Sequence, residues 1–206
     1  LFPIGELIKP EVRKIAGELH LATAKKKDST GICFIGERHF SAFLSNYLPA
    51  KPGKMVDETG KDIGNHQGLM NYTIGQRKGL GIGGNKDTGN DPWFVIGKDL
   101  STNRLIVGQG FHHPLLYANR CTVEDVNWIP LQKFTGKLTC TAKFRYRQAD
   151  IPVEISWNEN GHLLVHCLEN VRAITPGQAA VFYQNEVCLG GGTIDKVYFN
   201  NILRQY

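Results

Sequence analysis

The second half of this chain is a succession of short segments of alternating apolar and polar residues, and this pattern restricts the fold more than any other feature. Residues alternate between the two faces of a strand, and Gly, Asn and Pro favour the tight turns between strands. Six such segments follow one another at strand spacing, which predicts a small antiparallel barrel or sandwich. They are 121–128, 137–147, 151–157, 162–168, 179–183 and 187–190.

The first half predicts two helices and then a change to β structure. Pro10 and Glu11 suit the first turn of a helix over 10–19, and a second apolar stripe predicts a helix over 37–48. The β segments are a strand at 54–57 and a hairpin formed by 93–97 and 104–107. The predicted fold class is therefore mainly β with a short helical N-terminal segment, a small central β-rich domain and a C-terminal antiparallel barrel of about six strands.

Composition excludes several classes of protein. Hydrophobic residues make up 41% and charged residues 21% of the chain, which is ordinary for a globular protein and excludes wholesale disorder. No uncharged apolar run approaches the ~18 residues that a membrane-spanning helix needs. Five cysteines without a CxxC pair predict neither a disulfide scaffold nor a zinc site, and they favour a reducing cytoplasm; we assign no metal site. A net charge of +5 permits an anionic partner without requiring one.

Cys33 is the cysteine with the most suggestive neighbours. The basic run 25–27 precedes it, and Arg38 and His39 follow. Positive charge favours the thiolate, which makes a cysteine more nucleophilic. Because apolar residues flank Cys33 directly, a small buried hydrophobe is the alternative interpretation. The remaining cysteines lie in strand patterns and are predicted to be core residues: Cys121, Cys140, Cys167 and Cys188.

Two basic segments are candidates for nucleic-acid contact. Polar residues on one face of the predicted strand 137–147 include Lys143, Arg145 and Arg147. Same-face neighbours lie about 6.6 Å apart, close to the spacing of phosphates, so such a row can follow an RNA backbone; an exposed polar barrel face is the alternative. The other segment contains Arg77 and Lys78 beside a glycine-rich loop, where a phosphate contact and a solvated turn are equally compatible with the sequence. That loop matches GxGxxG, but its flanks do not form the strand and helix of a dinucleotide site.

Seven strings resemble, in the same order, the bacterial tRNA-specific 2-thiouridylases of the MnmA or TrmU family, and the resemblance covers nearly the whole chain. They are 28–38, 66–70, 73–84, 144–148, 175–178, 181–183 and 188–192. The family has an N-terminal ATP-pyrophosphatase domain, a central domain and a C-terminal barrel. Because the phosphate-binding string of the first domain is missing here, we expect the C-terminal part of such an enzyme, inactive by itself. The expected domains are 1–42, the tail of the catalytic domain, then 43–110 and the tRNA-contacting barrel 111–206.

The resemblance implies a sulfur transfer to C2 of the wobble uridine of tRNA. ATP with Mg²⁺ activates the uridine on the missing domain, and no cofactor is expected on this chain. Cys33 matches the cysteine that carries the persulfide, and a first cysteine outside this chain pairs with it in a disulfide or acts as a general acid or base. The implied partners are tRNA and a cysteine desulfurase or sulfur-relay protein, in the cytoplasm and without a membrane.

The resemblance also implies which residues touch tRNA. Arg145, Tyr146 and Gln178 match tRNA-contacting positions, and further RNA contacts are expected at Lys143, Arg147, Arg77 and Lys78. On a regular strand Arg145 and Tyr146 point to opposite faces, so both reach RNA only near a strand end or a bulge. Two other functions stay open: a non-catalytic RNA-binding barrel of translation-factor type, and a sulfur carrier or redox protein that uses Cys33 and binds no RNA.

Overall fold

The computed structural model describes residues 3–27, 47–48, 50–83, 91–130, 134–146 and 148–204. The chain divides into two compact units, 1–49 and 50–206. The first unit contains one described helix, α1 (Lys9–Glu18), which confirms the helix predicted over 10–19 to within one residue at each end. Glu11 caps its start, because its carboxylate accepts a hydrogen bond from the Ile8 N–H at 3.1 Å. The helix predicted over 37–48 lies outside the described residues except at 47–48, which are not helical.

The second unit begins with a four-stranded sheet that we call the central sheet. Its strands are β1 (Gly53–Val56), β2 (Asp62–His66), β3 (Trp93–Asp99) and β4 (Arg104–Gln109). The spatial order is β2-β1-β4-β3, with β1 parallel to β4 and the other pairs antiparallel. The predicted strand at 54–57 and the predicted hairpin are confirmed. The strand β2 is not predicted from the sequence, because Asp62-Ile-Gly-Asn-His66 has no apolar alternation.

A buried histidine fixes the start of the central sheet. His66 is the one buried polar residue in the part of the chain that the structure describes. Its Nδ1 accepts the Gly68 N–H at 3.0 Å, so the ring proton sits on Nε2, which donates to the Asn103 carbonyl at 3.1 Å. A Cβ on Gly53 would overlap that carbonyl and lie 2.7 Å from Nε2, so only glycine fits there.

The rest of the second unit is a closed barrel. Its strands are β5 (Tyr117–Trp128), β6 (Lys137–Lys143), β7 (Ile151–Trp157), β8 (Leu163–Arg172), β9 (Ala179–Gln184) and β10 (Val187–Phe199), with the short β11 (Ile202–Leu203) beside β10. The order β10-β5-β8-β7-β6-β9 closes through pairing of β9 with β10, all antiparallel. This confirms the predicted fold class and the six-stranded barrel.

Inward-facing apolar side chains fill the barrel. The largest fully buried or nearly buried members are Phe144, Ile155, Leu163, Ile174, Phe182 and Ile194. The strand β10 contains three consecutive glycines, Gly190 to Gly192, where it pairs with β5 on one side and β9 on the other. A Cβ on Gly191 would lie 2.5 Å from the Ala180 carbonyl oxygen, and Cβ atoms on Gly190 and Gly192 would overlap carbonyls of β5. The glycine run therefore lets β10 pack between its two neighbours.

Four predicted strand ends in the barrel were wrong by four residues or more. The strand predicted over 137–147 ends at Lys143, because the chain then turns, with the Phe144 N–H donating to the Gln148 side chain at 2.9 Å. The strand predicted over 187–190 is 13 residues long and ends at Phe199, beyond the glycine run. In addition, β5 begins at Tyr117 and not at 121, and β8 ends at Arg172 and not at 168. The boundaries proposed for the three domains stay predictions. In the described part of the chain, no helix is long and apolar enough to cross a membrane.

Candidate nucleic-acid interface

An open groove on the barrel, which we call the β6–β9 groove, brings together the three residues expected to touch tRNA. It has a volume of about 780 Å³ and runs along the end of β6, the turn that follows it and β9. Its lining residues are Lys143, Phe144, Arg145, Tyr146, Gln178, Ala179, Val181 and Tyr183. A shallow cavity with an aromatic ring and polar side chains is a suitable shape for a nucleobase and its phosphate.

The turn after β6 explains how Tyr146 reaches this groove. Phe144 points into the barrel core, and the Gln148 N–H donates to the Arg145 carbonyl at 3.1 Å, which closes the turn. Tyr146 stands outside the core with 92% of its surface exposed. An exposed ring can stack on a base, whatever the base is. Because the strand has already ended, the opposite-face geometry of a regular strand does not apply to Arg145 and Tyr146.

Arg145 lines the groove, and its guanidinium also reaches inward. The Nη2 group donates to the carbonyls of Ile74 at 2.6 Å and Ala173 at 3.1 Å, and to the Thr175 hydroxyl at 3.2 Å. Burial lowers the pKa of the Arg145 guanidinium, and the nearby positive charge of Arg172 lowers it further. The positive charge of Arg145 is therefore stabilised largely by the dipoles of the Ile74 and Ala173 carbonyl groups.

Gln178 lies at the end of a tight turn on the other side of the groove. Its N–H donates to the Thr175 carbonyl at 3.3 Å, and its own carbonyl accepts the Ile194 N–H at 2.8 Å. These backbone bonds fix the turn against β10. The side-chain Oε1 is buried and has no hydrogen-bond partner in the described part of the chain, although the residue itself lines the groove.

Acidic neighbours neutralise part of the basic row on β6. Lys143 lies 3.4 Å from Asp150, and Lys137 lies 2.6 Å from Glu154. Lys143 also lies 5.8 Å above the Tyr183 ring. The row is therefore less positive than its sequence suggests, and Lys143 is its one lysine in the groove. Arg147, the last residue of the predicted row, lies outside the described residues.

Arg77 and Lys78 lie on a separate turn of the central sheet. The Gln76 side chain closes this turn, because its Oε1 accepts the Thr73 N–H at 3.0 Å and its Nε2 donates to the Lys78 carbonyl at 2.9 Å. Both basic side chains are exposed. Arg77 lines a different cavity of about 250 Å³, so the structure does not bring these residues into the β6–β9 groove.

Cys33, the residue expected to carry sulfur, lies outside the described residues. The four described cysteines are free thiols, and burial disfavours the thiolate at three of them. Burial raises the pKa of Cys140 to about 11 and that of Cys167 to about 12, and it raises the pKa of Cys121 well above its usual value. Such protonated thiols are poor nucleophiles at neutral pH.

Sequence reasoning missed a second concave surface, on the outer face of the barrel. It has a volume of about 790 Å³ and crosses β5, β8, β7 and β6. Arg120, His166 and Leu168 are among its lining residues. The alternation of β8 could have indicated it, since residues 164, 166 and 168 all point outward. Among the described residues, no group of three or more His, Cys, Asp or Glu side chains is placed to hold a metal ion.

Family models match three successive parts of the chain. Residues 1–37 match a tRNA methyl transferase HUP domain, residues 41–109 a tRNA methyl transferase PRC-barrel domain, and residues 118–194 an aminomethyltransferase beta-barrel domain. The central sheet lies in the second match and most of the six-stranded barrel in the third.

Relatives with high identity extend over almost the whole chain. A protein of Salmonella arizonae named tRNA-specific 2-thiouridylase MnmA is 58% identical over 196 residues, which cover 95% of this chain and 53% of the relative. A protein of the same name from Lacticaseibacillus paracasei is 58% identical over all 206 residues, which cover 54% of the relative. The chain thus spans about half the length of the curated relatives it matches. Together with the three domain models, this identity shows that the chain belongs to the MnmA family of tRNA-specific 2-thiouridylases.

Proposed function

We propose that this chain is the C-terminal part of a tRNA-specific 2-thiouridylase and that its barrel binds the tRNA. The observation that carries the proposal is the β6–β9 groove, in which Arg145, Tyr146 and Gln178 line one surface in a chain of this family. An exposed ring, a glutamine side chain and a lysine suit stacking, hydrogen bonding and phosphate contact respectively. Arg77, Lys78 and Arg147 are proposed as further contacts outside this groove.

In the proposed reaction, Cys33 carries the sulfur. ATP with Mg²⁺, bound elsewhere in the enzyme, would supply the adenylation of the C2 oxygen of the wobble uridine, with release of pyrophosphate. The terminal sulfur of the Cys33 persulfide then attacks C2. The C2–O bond breaks and AMP leaves, because AMP is a better leaving group than an oxide ion. A second cysteine of the enzyme then attacks the Cys33 sulfur; the S–S bond breaks, the thiocarbonyl remains on the base and a disulfide forms with Cys33. A dithiol reductant then opens this disulfide and is itself oxidised to a disulfide, after which a cysteine desulfurase or a sulfur-relay protein reloads Cys33 with persulfide sulfur.

Two observations support Cys33 as the sulfur carrier. The basic residues around it in the sequence favour a thiolate. Among the described cysteines, Cys121, Cys140 and Cys167 are buried, with pKa values raised by that burial, so none of these three suits the role. The described residues provide no glycine-rich loop that opens a helix and could cradle triphosphate, so ATP is proposed to bind elsewhere in the enzyme.

The test is thiolation of tRNA by the complete gene product supplied with ATP, Mg²⁺ and a sulfur-loaded desulfurase. Cys33→Ser should abolish 2-thiouridine formation and leave tRNA affinity unchanged, whereas Cys188→Ser, the matched control, should retain activity. Mass spectrometry should find the persulfide on Cys33 before tRNA is added. Full activity of Cys33→Ser would contradict the sulfur-carrying role and favour a non-catalytic RNA-binding module. If the unaltered protein does not bind tRNA, this result would instead favour a sulfur carrier that binds no RNA.

A further inference from the structure

The guanidinium of Arg145 ties together three segments that are far apart in the sequence. Its Nη2 donates to Ile74, 71 residues away, and to Ala173 and Thr175 of the turn that leaves β8. Ile74 is packed against the central sheet, because the adjacent Gly75 N–H donates to the carbonyl of Val95 in β3 at 2.7 Å. Nη2 carries two hydrogens for three acceptors, so at least one of them is shared. All three acceptors are neutral oxygens, and hydrogen bonds from a charged donor are about twice as strong as neutral ones.

These hydrogen bonds leave few N–H groups of Arg145 available to bind a phosphate. A guanidinium grips an oxyanion through one of two edges, Nε with Nη2 or Nη1 with Nη2, and both edges contain the committed Nη2. The Nε atom is buried and has no partner, which closes the first edge further. Within the described part of the chain, no carboxylate forms an ion pair with Arg145, so its charge is stabilised by carbonyl dipoles.

The segments that Arg145 joins carry the two groups that face the groove from opposite sides. Tyr146 is its immediate neighbour and is almost fully exposed. Thr175, whose hydroxyl also donates to the Ala173 carbonyl at 3.0 Å, begins the turn that ends at Gln178. The guanidinium therefore sets the distance between Tyr146 and Gln178 across the groove.

We propose that Arg145 is a positioning residue: it holds Tyr146 and the 175–178 turn in register for a base and anchors both to the central sheet, and it acts on RNA through them. This inference rests on the proposed function, in which the β6–β9 groove binds tRNA. This role differs from that of Lys143. The Lys143 ammonium group lies at the groove, and it can replace its ion pair with Asp150 by an ion pair with a phosphate.

The salt dependence of tRNA binding by the complete gene product distinguishes the two roles. Arg145→Met should weaken binding about tenfold at every salt concentration without changing the slope of log affinity against log salt, because no phosphate contact is lost. Lys143→Met is the matched control. Because it removes one phosphate contact, it should make the negative slope less steep by about 0.7 to 0.9. A slope change in Arg145→Met equal to that of Lys143→Met would overturn the proposal, and so would unchanged affinity.

A double-mutant cycle with Tyr146→Ala tests the positioning itself. If Arg145 acts through Tyr146, Arg145→Met should cost much less affinity in the Tyr146→Ala background than in the unaltered protein. Additive losses would overturn the proposal. Should Arg145→Met fail to fold by circular dichroism, Thr175→Val replaces it in the cycle, since it removes one acceptor and keeps the charge. If the unaltered protein binds no tRNA, the proposed function itself fails.

Discussion

The barrel and the central sheet of the second unit are held together in different ways. The barrel is closed, and its core consists of apolar side chains. The central sheet is open, contains the buried His66, and completes its core with Ala173, which follows the last residue of β8. Arg172 adds another link, because its guanidinium lies 4.8 Å from the Phe94 ring and 4.2 Å from the Phe111 ring. The barrel thus closes its core with its own strands and turns, whereas the central sheet needs Ala173 and Arg172, at the end of β8, to complete its apolar core.

The largest expected effect is in the barrel core. Phe182→Ala should lower the free energy of unfolding by about 3 to 5 kcal/mol, because it leaves a cavity in a closed core that cannot collapse easily. Since the central sheet depends on the barrel, hydrogen exchange should speed up in both. Leu100→Ala, in an exposed loop, is the control and should change stability by less than about 0.5 kcal/mol. Unchanged protection of the Val95 and Val107 amides in Phe182→Ala would contradict the dependence.

A change in the central sheet, unlike one in the barrel core, should destabilise the central sheet alone. His66→Ala removes two hydrogen bonds and leaves the Asn103 carbonyl and the Gly68 N–H without partners, at a cost of about 2 to 4 kcal/mol. Hydrogen exchange should accelerate in β1 to β4, while β7 and β8 keep their protection. The control is His166→Ala on the exposed face of β8. Equal acceleration in the barrel would show that the two sheets unfold as one.

Tyr146→Ala should change function without changing stability. Its ring is exposed, so the free energy of unfolding should stay the same within error, while tRNA affinity should fall by about 1 to 3 kcal/mol through loss of base stacking. Tyr146→Phe, which keeps the ring, should bind nearly normally. Equal weakening by both changes would show that the hydroxyl and not the ring makes the contact.

The smallest expected effect is a difference in acid sensitivity. The hydroxyls of Ser101 and Thr102 lower the pKa of Asp99 to about 2, and the Thr59 hydroxyl lowers that of Asp57. Because both folded pKa values lie below the ordinary 3.8, this stabilisation is complete above pH 4 and is lost as the pH falls towards 2. Both residues lie in the hairpins of the central sheet, so this loss of stability falls on that sheet.

Titration followed by nuclear magnetic resonance is the measurement for this difference. Amide signals of the central sheet should shift or broaden between pH 4 and pH 2 before those of the barrel do. Asp99→Asn should reduce the difference between the two sheets, because the amide does not titrate. Earlier loss of the barrel signals would contradict the expectation.

The barrel could be predicted from the sequence because its signals are local. Alternation along each strand and turn residues between strands gave β7 without error and β9 to within one residue. The failures lie where a local pattern is interrupted. Gly190 to Gly192 hide the continuation of β10, since their role depends on carbonyls of neighbouring strands that the sequence does not show. The end of β6 depends on the Gln148 side chain, which follows the apparent pattern.

The candidate site was only partly predictable for a similar reason. A resemblance indicated Arg145, Tyr146 and Gln178, but the inward hydrogen bonds of Arg145 reach residues 71 and 28 positions away, which no spacing rule reveals. The acidic partners of the lysines on β6 were also hidden. Asp150 follows the turn and Glu154 lies on the adjacent strand, so the net charge of the row depends on strand pairing.

Photo-crosslinking tests most directly whether the barrel grips tRNA at the β6–β9 groove. The complete gene product would be irradiated with tRNA that carries a photoreactive nucleoside at positions flanking the wobble uridine, and the linked peptides would be sequenced by mass spectrometry. The account predicts links to residues 143–146 and 178–183, lost in Tyr146→Ala. Links confined to the concavity around Arg120 and His166 would contradict it.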